Sequence, residues 1–148
     1  MKLENTIKVI KQIHPEDIVL LKVGTFYHAY GKDSYILSYL FNYQLKKVES
    51  NYSTCGFPKS SINKVKATLE EKQINYLLVN RSENYEVEEK EEYKNNKYID
   101  YYNIAHKYVT RKNRINEIYD YLMENLNNDK IKEKITKIEE VLYEVWKI

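Results

Sequence analysis

The apolar positions along the chain follow two regimes. Leu3, Ile7, Val9, Ile10 and Ile13 space like a short amphipathic helix over 3–13, closed by Pro15. The run Ile18–Val23 reads as a buried strand, and Phe26–Tyr30 as a second strand after a turn at Gly24. Lys32–Phe41 carries Tyr35, Ile36, Tyr39 and Leu40 at helical spacing, with Asp33 or Ser34 as the cap. Tyr43–Glu49 and Tyr52–Cys55 read as strands around Ser50-Asn51, and Gly56-Phe57-Pro58 as a turn. Ser60-Ser61 then caps a helix bearing Ile62, Val65 and Leu69; Ile74–Val79 is an apolar strand, and Tyr85–Glu89 a weaker one.

Past the charged run Glu86–Asn96 the pattern is purely helical. A helical stretch covers Tyr98–Val109. Ile115, Tyr119, Leu122 and Leu126 then repeat every three or four residues, as do Ile131, Ile135, Ile138, Leu142 and Val145. Asn127-Asn128-Asp129 between the two stripes is a turn with a ready N-cap, so the spacing predicts an antiparallel helical hairpin. The expected fold class is therefore α/β (α+β): a mixed β-sheet with packed helices over residues 1–89, then a helical C-terminal extension over 90–148.

Composition narrows the function. The single cysteine, Cys55, excludes an internal disulfide framework and a multi-cysteine zinc site. No stretch approaches the roughly 18 consecutive apolar residues of a membrane span, and Met1–Asn5 opens no signal-peptide apolar region. The expectation is a cytoplasmic protein that does not enter membranes. Residues 1–84 hold 12 Lys/Arg against 8 Asp/Glu, a net of +4, whereas 85–148 hold 12 against 14, a net of −2. Attraction to phosphates belongs to the first part. The 16 tyrosines accompany abundant Lys, Asn and Ile and only three arginines. That pattern points to coding bias and core packing rather than to a stacking platform, which would need specific aromatic positions.

Catalytic chemistry is not in evidence. There is no phosphate-cradling loop ending in Gly-Lys-Ser/Thr, and three glycines cannot build a dinucleotide fingerprint. His14, His28 and His106 have no metal-ligand spacing with one another or with Cys55. Cys55 reads as a small buried residue at a strand end rather than a nucleophile, and Glu86–Glu92 as a solvated charge run. The expectation is a protein that is not an enzyme and has no cofactor.

Two ordered motifs carry a resemblance. Gly24-Thr25-Phe26-Tyr27-His28 at the end of an apolar strand is similar to the Gly-x-Phe-Tyr-Glu of the mismatch-recognition domain of the MutS family. A helix follows, and then Cys55-Gly56-Phe57-Pro58 resembles that family's Ala-Gly-apolar-Pro turn, again followed by a helix and a strand. The likeness runs from Ile18 to about Val79. It implies the fold of that domain and the binding of double-stranded DNA, mispaired or distorted, in mismatch repair. Phe26 takes the place of the wedge that inserts beside a mispaired base, and Thr25 belongs to the same motif. His28 stands where the family has a hydrogen-bonding Glu; it can donate, accept or become charged. Lys59-Ser60 and Asn80-Arg81 also depart from the family pattern.

On strand alternation alone Phe26 fits a core ring; the resemblance turns it towards DNA. Lys22, Lys59 and Lys64 are the basic residues expected at phosphates, with Lys46, Lys47 and Lys66 as further surface lysines. Lys59, Lys64 and Lys66 lie near a helix start. The family's clamp, lever and ATPase regions have no counterpart here, so the resemblance implies recognition without an ATP-driven cycle. The competing reading is an adaptor on a retained MutS-like scaffold within a DNA-processing assembly. In that reading residues 98–148 form a homodimer or hold a protein partner.

Overall fold

The computed structural model describes residues 3–47, 52–81 and 84–146. Two compact units are present, Met1–Val109 and Thr110–Ile148. The sequence places the change of regime at 89/90. The first unit reaches further because the opening turns of the following helix bury Tyr98, Ala105 and Val109.

The first unit is built on a six-stranded mixed sheet in the order β3-β4-β2-β1-β5-β6. Its strands are β1 (Ile18–Val23), β2 (Phe26–Tyr30), β3 (Lys46–Lys47), β4 (Ser53–Pro58), β5 (Tyr76–Asn80) and β6 (Glu86–Glu91). β1 runs parallel to β5, with Ile18 opposite Tyr76, while the other neighbours are antiparallel. Ile18–Leu21 are fully buried because both faces of the central strand are covered. Alternation divides the core. Val19, Leu21, Tyr30, Leu77 and Val79 face helix α1 (Leu3–Ile13) through Ile7 and Ile10. Ile18, Leu20, Tyr27, Ala29, Phe57, Tyr76 and Leu78 face helices α2 (Lys32–Phe41) and α3 (Ile62–Lys72) and the first turns of α4 (Tyr98–Glu124).

Asp33 ties these layers together. Its buried carboxylate accepts the Val19 N–H at 3.0 Å and the Tyr98 hydroxyl at 2.6 Å, and pairs with Lys11 at 3.0 Å. Asp33 is thus a cross-link between β1, α1, α2 and α4 and not a helix cap. The N-cap of α2 is Gly31, with no side-chain cap bond. Nor does Ser60 or Ser61 cap through its side chain: a 3-10 turn, Lys59–Ser61, leads into α3, whose N-cap Ser61 makes no side-chain cap bond.

Gly56-Phe57-Pro58 is strand, not turn. It pairs residue for residue with β2, Gly56 against His28 and Pro58 against Phe26. Of the strand expected over Tyr43–Glu49, Lys46–Lys47 is strand; positions 48–51, including the Ser50-Asn51 turn, lie outside the described residues. The last apolar strand begins two residues later than expected, at Tyr76, with Ile74 buried ahead of it.

The second unit holds the end of α4, a turn over 125–130 and α5 (Ile131–Trp146). The helix expected over Tyr98–Val109 and the one carrying Ile115–Leu122 are a single helix of 27 residues. In the turn Asn128 Oδ1 accepts the Lys130 N–H, and the Asn128 carbonyl accepts the Ile131 N–H, both at 3.0 Å. The predicted architecture, a mixed sheet with packed helices followed by a pair of long helices, is the one observed.

Candidate nucleic-acid interface

The tip of the β1–β2 hairpin is a two-residue turn, Gly24-Thr25, between the paired residues Val23 and Phe26. Of the two, Gly24 alone has positive φ, at 61°, the signature of a type II′ turn. The turn is pinned from outside, because the Lys59 N–H donates to the Thr25 carbonyl at 3.0 Å. The two motifs read from the sequence therefore converge. Thr25, Phe26, Pro58 and Lys59 lie together at one end of the sheet.

β2 alternates strictly. Tyr27 and Ala29 enter the core under α2 and α3, so Phe26, His28 and Tyr30 share the opposite face. Their rings form a row, with successive centroids 6.3 Å apart from Phe26 to His28 and from His28 to Tyr30. Exposure rises along that row, from 7% at Tyr30 to 43% at Phe26. Tyr27 is instead stacked on Phe57 at 5.7 Å inside the core.

Gly56 supplies the floor under His28. A Cβ built there would lie 2.9 Å from the His28 Cε1, so only a residue without a side chain lets the imidazole lie this low. Partial burial, reinforced by the charge of Lys46, holds the His28 pKa below the ordinary histidine value of 6.5. At neutral pH the ring is uncharged, with one nitrogen donating and the other accepting. Among the described residues it has no hydrogen-bond partner. Beside it is a hollow of about 280 Å³ lined by Phe26, His28, Tyr43, Gln44, Lys46 and Gly56.

The basic residues divide between the two faces. Lys46 pairs opposite Thr54, as does Tyr30, which puts all three on the Phe26–His28 face. Lys59 is half-buried beside the turn. Lys22 falls on the other face, where its Nζ lies 3.2 Å from Glu88. Lys64 also lies on that side, its Nζ 5.9 Å from the centre of the Phe41 ring, and Lys66 pairs with Glu89 at 2.8 Å. The sheet's two edges thus differ in charge. The β3 edge presents Lys46 and Lys47, and the β6 edge Glu86, Glu88, Glu89 and Glu91.

Of the residues singled out in the sequence, the structure gathers Thr25, Phe26, His28 and Lys59, and sets Lys22 and Lys64 apart. Lys46 and Gln44 complete the group. The signal for Lys46 is its cross-strand row with Thr54 and Tyr30, which appears only once the two-residue strand β3 is paired. Cys55 is buried, and its thiol is pushed up to about 12 by burial and then by Asp33, which removes it as a nucleophile at physiological pH.

The fold and this hairpin define a small α+β module that displays an aromatic ring at the end of a mixed sheet. The family model for MutS domain I matches residues 2–113, and the chain belongs to that family. Its members are DNA-binding modules that serve generally in mismatch recognition. The match takes in β6 and the first half of α4, beyond the Ile18–Val79 span visible by motif. No curated protein matches the chain.

Proposed function

We propose that the first unit binds duplex DNA through the β1–β2 tip and recognises mispaired or distorted steps, with Phe26 as the inserting wedge. The reading includes no ATP hydrolysis, because the chain has no phosphate-cradling loop. One observation carries the proposal. Phe26 is held 43% exposed on a two-residue turn, while its strand neighbour Tyr27 is buried at 6%.

The physics follows from that placement. An apolar ring inserted between base steps recovers part of the cost of unstacking, which is smallest where pairing is already defective. Lys46 and Lys59 supply phosphate contacts that position the module without reading sequence. Neutral His28 offers a hydrogen bond to a displaced base without adding fixed charge, where the family's Glu would bring a negative one. The hollow beside it adjoins both rings.

The test is fluorescence anisotropy with matched, mismatched and bulged duplexes. The mismatched and bulged duplexes bind more tightly than the matched one. Base–aromatic stacking is worth about 1–3 kcal/mol, so Phe26→Ala removes roughly 10- to 100-fold of affinity for the defective duplexes. A weak, salt-sensitive background remains in the variant. Equal binding of all duplexes by both proteins would sink the reading.

A further inference from the structure

We propose that the second unit docks a second copy of itself, the two hairpins closing into an antiparallel four-helix bundle. The apolar stripe of α4 runs through Ile115, Ile118 and Leu122, and that of α5 through Ile131, Ile135, Ile138 and Leu142. Only Ile131 is buried, with Leu122 and Ile135 half-covered. Away from the turn the stripes stay open: Ile115 is 65% exposed, Ile118 55%, Val141 60% and Leu142 49%. An apolar groove of about 670 Å³ runs between the helices, with Ile118, Tyr121, Leu122 and Ile138 among its walls. Two helices cannot enclose stripes of this width, whereas four can. A patch of this kind marks an interaction surface.

Charge selects the occupant. The second-unit part of α4 begins with Arg111, Lys112 and Arg114 and ends with Glu117, Asp120 and Glu124. α5 repeats the order apart from Glu133, with Lys132, Lys134 and Lys137 before Glu139, Glu140 and Glu144. Each helix is basic then acidic. Any antiparallel neighbour of the same kind sets base against acid, and a parallel one sets like against like. In α5 the order runs largely against the helix dipole: Glu133 suits the first turn, but Lys132 and Lys134 flank it and Glu144 lies in the last turn. An antiparallel neighbour offsets that cost. The pattern that suits the two helices to each other within one hairpin suits the same hairpin in a second copy turned end for end, which is what a two-fold, self-complementary interface requires.

Sedimentation of the full chain tests this independently of DNA. The expected result is a dimer at micromolar concentration. The pair Ile118→Glu and Leu142→Glu converts it to a monomer with unchanged helical circular dichroism. A monomer at about 100 times the concentration that gives half dimer for a typical micromolar complex overturns the proposal. So does a dimer that the double variant leaves intact. Orientation is read with a spin label at Asn127→Cys, the native Cys55 being buried. End-for-end pairing separates the two labels by about 20 Å or more, the length of some fifteen helical residues. Labels within about 10 Å of one another, the spacing of adjacent helices, overturn the antiparallel arrangement.

Discussion

His28 stands where the resembled motif carries Glu, and its surroundings set its chemistry. Its ring lies on Gly56, is partly desolvated and faces Lys46, so it resists protonation. Below pH 6.5 the unfolded chain takes up a proton that the folded chain refuses. The unfolded state then binds more protons, and stability rises with pH through that window and levels off above it. The check is urea denaturation at several pH values: the wild type loses more stability on acidification than His28→Gln does. Gly56→Ala acts on the same pair from below by lifting the imidazole, and a shifted His28 titration by NMR reports it. Asp33 works on fold rather than function. Asp33→Ala removes the Lys11 ion pair and leaves the buried Val19 N–H without its acceptor, and costs about 3–5 kcal/mol, read as a lowered denaturation midpoint. From the sequence, Phe26 and His28 were legible because they sit in a motif. Asp33 was not, since a helix-start acid reads as a cap until Tyr98 and Lys11 are seen to converge on it.

Among the elements, the β1–β2 hairpin positions Phe26, the proposed wedge. Gly24 has open space where a Cβ would go, yet its φ of 61° penalises any side chain through the backbone alone. Gly24→Ala is expected to cost about 1–2 kcal/mol in equilibrium unfolding. It weakens defect-selective DNA binding more than background binding, because it moves Phe26 rather than the lysines. Strands with clear period and helices with clear stripes were readable at this level. The failures have specific causes. Gly56 and Pro58 are turn residues by habit, but here Gly56 makes room for a ring across the strand and Pro58 ends β4 four residues past its pairing with β3. α4 read as two helices because its apolar face changes. Tyr98, Ala105 and Val109 lie on one line, and Ile115 and Leu122 on another roughly 100° or more around the helix at 3.6 residues per turn. One continuous helix serves two units with two faces.

For the whole molecule, net charge says little and its placement says much. The chain carries only +2 overall, yet the first unit's sheet runs from a lysine edge at β3 to a glutamate edge at β6. The acidic edge engages Lys22 and Lys66 in ion pairs, while Lys46, Lys47 and Lys59 stand at the edge and turn nearest Phe26. Salt dependence separates these groups. Each phosphate neutralised contributes about −0.9 to the slope of log affinity against log salt, so two contacts, at Lys46 and Lys59, predict a slope near −2. Lys46→Ala should bring it to about −1, for matched and mismatched duplexes alike, because phosphate contacts carry no sequence information. Lys22→Ala should leave the slope unchanged, since that ammonium lies across the sheet and is already paired with Glu88. A slope that responds to Lys22 and not to Lys46 would place the duplex on the other face of the sheet, away from Phe26.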